Sequence, residues 1–112
     1  MLAAMSVNEA EELLGIHLAE LGCNYARQVL YAPGRRFRAD FLVRDTLSPF
    51  LIEVQGGVYS RQAHGSISGI LQDNERLNEA TIAGFGMLRF TPDQVKSGEA
   101  KATIARALGS KP

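Results

Sequence analysis

Phe37-Arg38-Ala39-Asp40-Phe41-Leu42-Val43 and Phe50-Leu51-Ile52-Glu53-Val54-Gln55-Gly56-Gly57 are two short runs rich in strand-forming residues, joined by the turn-rich Asp45-Thr46-Leu47-Ser48-Pro49. Aromatic and β-branched residues bounded by Gly, Pro, Asp and Ser read as strands, and so short a connection makes them an antiparallel hairpin. Side chains alternate along a strand, so Phe37, Ala39, Phe41 and Val43 are expected on one face and Arg38, Asp40 and Leu42 on the other. In the second run Leu51, Glu53 and Gln55 share a direction. Gly56-Gly57 ends it and lets backbone approach a neighbour closely.

Upstream, Ser6 or Asn8 is placed to cap a helix reaching about Leu21, with acids near its positive end and Gly22 as its stop. Val7, Ala10, Leu14, Leu18 and Leu21 recur at helical steps and form one apolar stripe. Glu11, three residues before Leu14, shares the edge of that stripe. Ala26 to Tyr31 reads as a strand, followed by the turn Ala32-Pro33-Gly34-Arg35.

Downstream, Val58 to Gly69 reads as a loop. Ile70, Leu71, Leu77, Ala80, Thr81 and Ala83 predict a helix up to Gly84 with one side packed on a sheet. Met87 to Phe90 is a short last strand. Thr91-Pro92-Asp93 opens a final helix whose apolar side is Val95, Ile104, Ala107 and Leu108. A strand that follows a helix joins its sheet parallel to a neighbour by a right-handed crossover, so the fold class is α/β, a mixed sheet flanked by helices.

The chain has 112 residues, 46% of them apolar and 21% charged, which fits one domain spanning 1–112 with a real core. Lys plus Arg and Asp plus Glu both number 12, so net charge neither favours nor excludes a nucleic-acid partner. The one cysteine, Cys23, allows no internal disulfide and is expected to be an idle, buried thiol. No apolar run approaches the roughly 20 residues that cross a bilayer, and the start lacks a basic segment followed by a hydrophobic stretch. A soluble, cytoplasmic protein without a membrane partner is expected.

The chemistry lies in the hairpin. Neighbouring strands are about 4.8 Å apart, so Asp40 and Glu53 are able to converge on one ion. Magnesium takes oxygen ligands, keeps several waters and is commonly held by one or two carboxylates together with substrate phosphate, which suits phosphodiester hydrolysis. The same spacing also describes two solvent-facing acids on a half-exposed hairpin. Glu11 is equally placed as an ordinary first-turn acid, and His64 as a polar loop residue.

Together Arg35-Arg36-Phe37-Arg38-Ala39-Asp40-Phe41, Ile52-Glu53-Val54-Gln55-Gly56-Gly57-Val58-Tyr59 and Met87-Leu88-Arg89-Phe90-Thr91-Pro92 resemble the PD-(D/E)XK nuclease superfamily. The likeness is nearest to small stand-alone phage and bacterial endonucleases, close to the VRR-Nuc and Holliday-junction-resolvase groups, and runs from the first helix to about Gly98. It implies a restriction-endonuclease-like core and a cytoplasmic role in a bacterial or phage-infected cell. It also implies that Asp40 is the first metal-binding aspartate, Glu53 the acid of the second half-motif, and Glu11 the acid contributed by the first helix. Gln55 stands where many members carry lysine. An amide hydrogen-bonds water or phosphate but brings no positive charge, so the water-activating role is open.

The resemblance further implies that Tyr59, Arg61 and His64 touch phosphates or stack on a base, and that Asp73, Arg76 and Asn78 form a polar triplet on the middle helix. Arg89 either neutralises the scissile phosphate or pairs with an acid. The expected mechanism has Asp40, Glu53 and the Val54 carbonyl holding one or two magnesium ions, for which manganese substitutes, while Gln55 positions the attacking water. Arg35, Arg36, Arg38 and Arg61 would grip DNA backbone. No small-molecule cofactor is expected, and two cuts in a duplex call for a homodimer, acting on branched or flapped DNA. The alternatives are a catalytically inactive DNA- or protein-binding module on the same fold, and an RNA nuclease.

Overall fold

Ser6 opens the first helix by a reciprocal cap. Its hydroxyl accepts from the Glu9 N–H at 3.1 Å while the Glu9 carboxylate accepts from the Ser6 N–H at 2.9 Å, satisfying two donors that a helix start leaves unpaired. In the computed structural model, which describes residues 4–56 and 67–109, this helix, α1, runs Val7–Glu20. Gly22, at φ +73°, turns the chain out of it. Ala10, Leu14 and Leu18 are fully buried, as the stripe requires.

Four strands follow: β1 (Tyr25–Leu30), β2 (Arg38–Val43), β3 (Phe50–Val54) and β4 (Gly86–Phe90). They stand in the order β1-β2-β3-β4. The β1–β2 and β2–β3 pairs are antiparallel and β4 runs parallel to β3, so the mixed sheet flanked by helices is present. Helix α2 (Ile67–Ile82) makes the crossover from β3 to β4, and α3 (Pro92–Ser97) and α4 (Glu99–Ala107) complete the chain. None of the described helices is long and apolar enough to cross a membrane.

The sheet separates two cores. On one side Phe41, Val43, Phe50, Ile52, Val54 and Phe90 pack with residues of α1, α3 and α4. On the other, Tyr31, Ala32, Phe37, Ala39, Leu42 and Leu51 pack with Ala80 of α2.

That division corrects the simple alternation expected of β2. Phe37 and Ala39 lie with Leu42 on the α2 side, whereas Phe41 and Val43 face α1. Strand β1 changes in step: Arg27 sits over the Phe41 ring, yet Val29 packs in the α2-side core. The register keeps its count, Arg27 opposite Phe41 and Val29 opposite Ala39, so no residue is inserted. The switch falls at Gln28, the one non-glycine described residue with positive φ, at +54°. A left-handed residue within a strand aims two successive side chains alike.

Three further expectations change. Strand β1 begins at Tyr25 and ends at Leu30, leaving Tyr31 to pair through its N–H with the Phe37 carbonyl at 3.4 Å. Helix α2 starts at Ile67 and buries Ala80 alone, with Ile70 51% and Leu71 62% exposed, so its apolar face is not packed as its periodicity predicts. The last helix is two helices. Gly98, at φ +90°, ends α3, and Val95, Ala100 and Ile104 are buried while Ala107 is exposed.

Gly56 is required where β3 passes beneath the start of α1. A Cβ there would lie 2.5 Å from Cγ2 of Val7, a stiff β-branched side chain. Gly56→Ala is therefore expected to destabilise the protein by about 1–3 kcal/mol, and Val7→Ala to recover part of that loss in the double variant. Chemical denaturation of the four species of this cycle measures both effects.

Candidate functional site

Strands β2 and β3 are paired from Val43–Phe50 to Phe41–Ile52, and Asp40 and Glu53 each stand one residue beyond that last pair. Here a side chain takes over from the backbone ladder: Asp40 Oδ2 accepts the Val54 N–H at 2.7 Å. A carboxylate receiving a main-chain N–H in a half-buried setting is firmly oriented. Gln55 continues the other side, its N–H donating to the Phe90 carbonyl at 2.7 Å.

The face switch at Gln28 turns Asp40 towards α1. Asp40 and Glu11 come within hydrogen-bonding reach of one another, and Gln28 Nε2 donates to Glu11 Oε1 at 3.1 Å. Burial, together with the neighbouring Asp40 carboxylate, raises the Glu11 carboxyl to about 7, against a smaller opposing pull from Gln28 and Arg27. Arg27 itself is held by Glu12 at 3.0 Å. Of the adjacent acids Glu11 and Glu12, Glu11 thus faces the hairpin.

Glu53 points the other way, with Leu51, and is the one buried charged residue among those described, at 9% exposure. Both its oxygens are engaged. Arg76 of α2 pairs with Oε2, and Nε of Arg89, its partner across the parallel β3–β4 register, lies 3.2 Å from Oε1. Arg89 also stands 3.6 Å from Asp73, and Arg76 donates to the Arg38 carbonyl at 3.1 Å.

The sequence-derived acids therefore form two groups: Glu11 with Asp40 towards α1, and Glu53 with two arginines towards α2. Among the described residues no group of three or more His, Cys, Asp or Glu is arranged to hold a metal ion. Glu11 and Asp40 are nonetheless two adjacent hard oxygen donors short of positive charge, a pair suited to a magnesium-like cation. Glu53 is already neutralised.

The remaining candidates are scattered. Arg35 pairs with Glu75 and lies 4.4 Å over the Phe37 ring, and Arg36 and Arg38 are exposed beside it. Tyr59, Arg61 and His64 lie outside the described residues. Cys23 is half-buried and not buried as expected; it donates weakly to the Leu18 carbonyl at 3.5 Å, and desolvation raises its thiol pKa, which disfavours the thiolate. Sequence reading missed Gln28, because a glutamine carries no signal for a left-handed backbone, and Tyr31, whose buried hydroxyl has no hydrogen-bond partner among the described residues.

Two outcomes test this electrostatic arrangement. The Glu11 carboxyl is protonated more readily folded than unfolded, so between about pH 4.5 and about 7 the native state binds the extra proton and stability falls as pH rises. Glu11→Gln should flatten that fall and stabilise the protein above pH 7 by about 1 kcal/mol, less than the full shift because water reaches the pair. Thermal unfolding across pH 4–8 checks it. Arg89→Ala leaves a buried carboxylate with one partner fewer and should cost about 3 kcal/mol by denaturant titration.

No protein-family model, no curated protein and no solved structure matches this chain, so the functional reading stands on motif and geometry.

Proposed function

We propose that this chain is a magnesium-dependent DNA nuclease with a restriction-endonuclease-like core of the PD-(D/E)XK kind, manganese substituting for magnesium. The observation that carries the reading is the Glu11–Asp40 pair, two touching carboxylates held beside the open end of β3 by Gln28 and the Val54 N–H. Like charges at such range repel and one retains a proton, unless a cation lies between them.

In this reading Asp40 and Glu11 hold the cation, with the Val54 carbonyl as a further oxygen donor. Magnesium bound there supplies the Lewis-acid charge that phosphodiester hydrolysis needs. Gln28 fixes the Glu11 carboxylate. Gln55 offers an amide to orient water, and Arg35, Arg36 and Arg38 hold DNA backbone through contacts that weaken as salt rises. Arg76 and Arg89 hold Glu53 on the opposite side of the sheet, apart from this cation site. A homodimer places two such sites on branched or flapped DNA.

A second reading is favoured by one observation: both Glu53 oxygens are occupied by arginines, and no lysine follows at Gln55. On that reading the chain is a binding module without activity. Incubation with magnesium and linear, flapped and four-way-junction DNA, with RNA in parallel, separates the two on a denaturing gel. Wild type is expected to cut DNA, Asp40→Asn to bind without cutting. Magnesium should raise the Tm of wild type, by about 1–2 kcal/mol of added stability, but not that of Asp40→Asn. Absence of cleavage of every DNA with either metal leaves the binding module standing.

A further inference from the structure

We infer that Arg76, Arg89 and Tyr31 form an oxyanion-binding site on the α2 side of the sheet that takes a phosphate group without any metal ion.

The first ground is unsatisfied donors. Arg89 Nε is near enough to Glu53 for an ion pair, yet neither Nε nor Nη2 has an acceptor in hydrogen-bonding alignment among the described residues, and both are buried. Tyr31 is 5% exposed and its hydroxyl is likewise buried and unpartnered. Buried donors without acceptors are rare in native proteins, and a cluster of them calls for a ligand rich in acceptors.

The second ground is charge. Two guanidiniums flank one buried carboxylate, while Asp73, a further acid beside Arg89, is 54% exposed. Within the buried part of the cluster the guanidiniums outnumber the carboxylates. Tyr31 packs at its edge, its ring 6.3 Å from the Phe37 ring over which Arg76 stands.

The third ground is access and shape. The Arg76 and Arg89 side chains keep 22% and 17% exposure, so their solvent edge lies beside α2, the side from which an ion would enter. Arg76 is steadied at 5.2 Å over the Phe37 ring and by the Arg38 carbonyl, which keeps its planar fork in place. Such a fork matches the oxygens of a tetrahedral phosphate.

The chemistry is shared by inorganic phosphate, phosphomonoesters and the phosphodiester of nucleic acid. The site does not depend on the nuclease reading, because it lies across the sheet from the Glu11–Asp40 pair and needs no cation. The test uses the full chain in EDTA, so cleavage plays no part. Sodium phosphate and the dinucleotide thymidylyl-thymidine are titrated separately, with sodium chloride at matched ionic strength as control, and the Arg side-chain Nε–H signals are followed by NMR. A saturable shift of the Arg89 signal with phosphate or dinucleotide, and none with chloride, is expected. The tighter of the two ligands identifies free phosphate or nucleic-acid backbone as the source. Tyr31→Phe removes only the unpartnered hydroxyl and should keep the wild-type Tm, while weakening binding about tenfold. No saturable shift with either ligand, or undiminished binding by folded Tyr31→Phe, overturns the assignment.

Discussion

A carboxylate buried within a sheet stays charged only with partners, and Glu53 at 9% exposure draws its partners from two different elements. Arg89 comes from the next strand, its Cα partner in the parallel register, and Arg76 comes from α2. Helix α2 buries Ala80 alone, so apolar packing contributes little to its seat. The Arg76–Glu53 pair therefore helps determine how α2 lies on the sheet. It does so at the carboxyl ends of β3 and β4, where open α/β sheets commonly bind ligands.

A second constraint works on the opposite face. Gln28 adopts a left-handed backbone that ordinary residues avoid, and both β1 and β2 exchange faces there without losing register. The result is local and chemical. Asp40, which strict alternation would send towards α2, meets Glu11 of α1 instead, and Gln28 itself bonds to Glu11. Strain at one position thus separates Asp40 from the Glu53 cluster and creates an acid pair.

Much of the architecture was legible in the residues because local and global preferences agree. Ser6 with Glu9 caps α1, the Ala10-Leu14-Leu18 stripe is buried, the apolar run of β3 is covered on both faces, and β4 joins parallel after a helix. Gly56 meets Val7 as its small size implied. The hidden parts are those in which tertiary context overrules type. Period two failed at Asp40 because of a backbone angle at Gln28 that no residue preference announces. The apolar spacing of α2 was correctly helical, but periodicity reports a face and not what covers it. For α3 and α4 the signal existed: Gly98 interrupts the run and takes the positive φ that stops a helix.

These two constraints leave unlike charges on either side of one strand end. Towards α1 stand two carboxylates with no guanidinium between them, and towards α2 two guanidiniums share one buried carboxylate. A free anion suits only the second group and a free cation only the first. The sheet keeps the two groups apart, so each is a separate electrostatic feature, one negative and set by the backbone at Gln28, the other positive and set around Glu53.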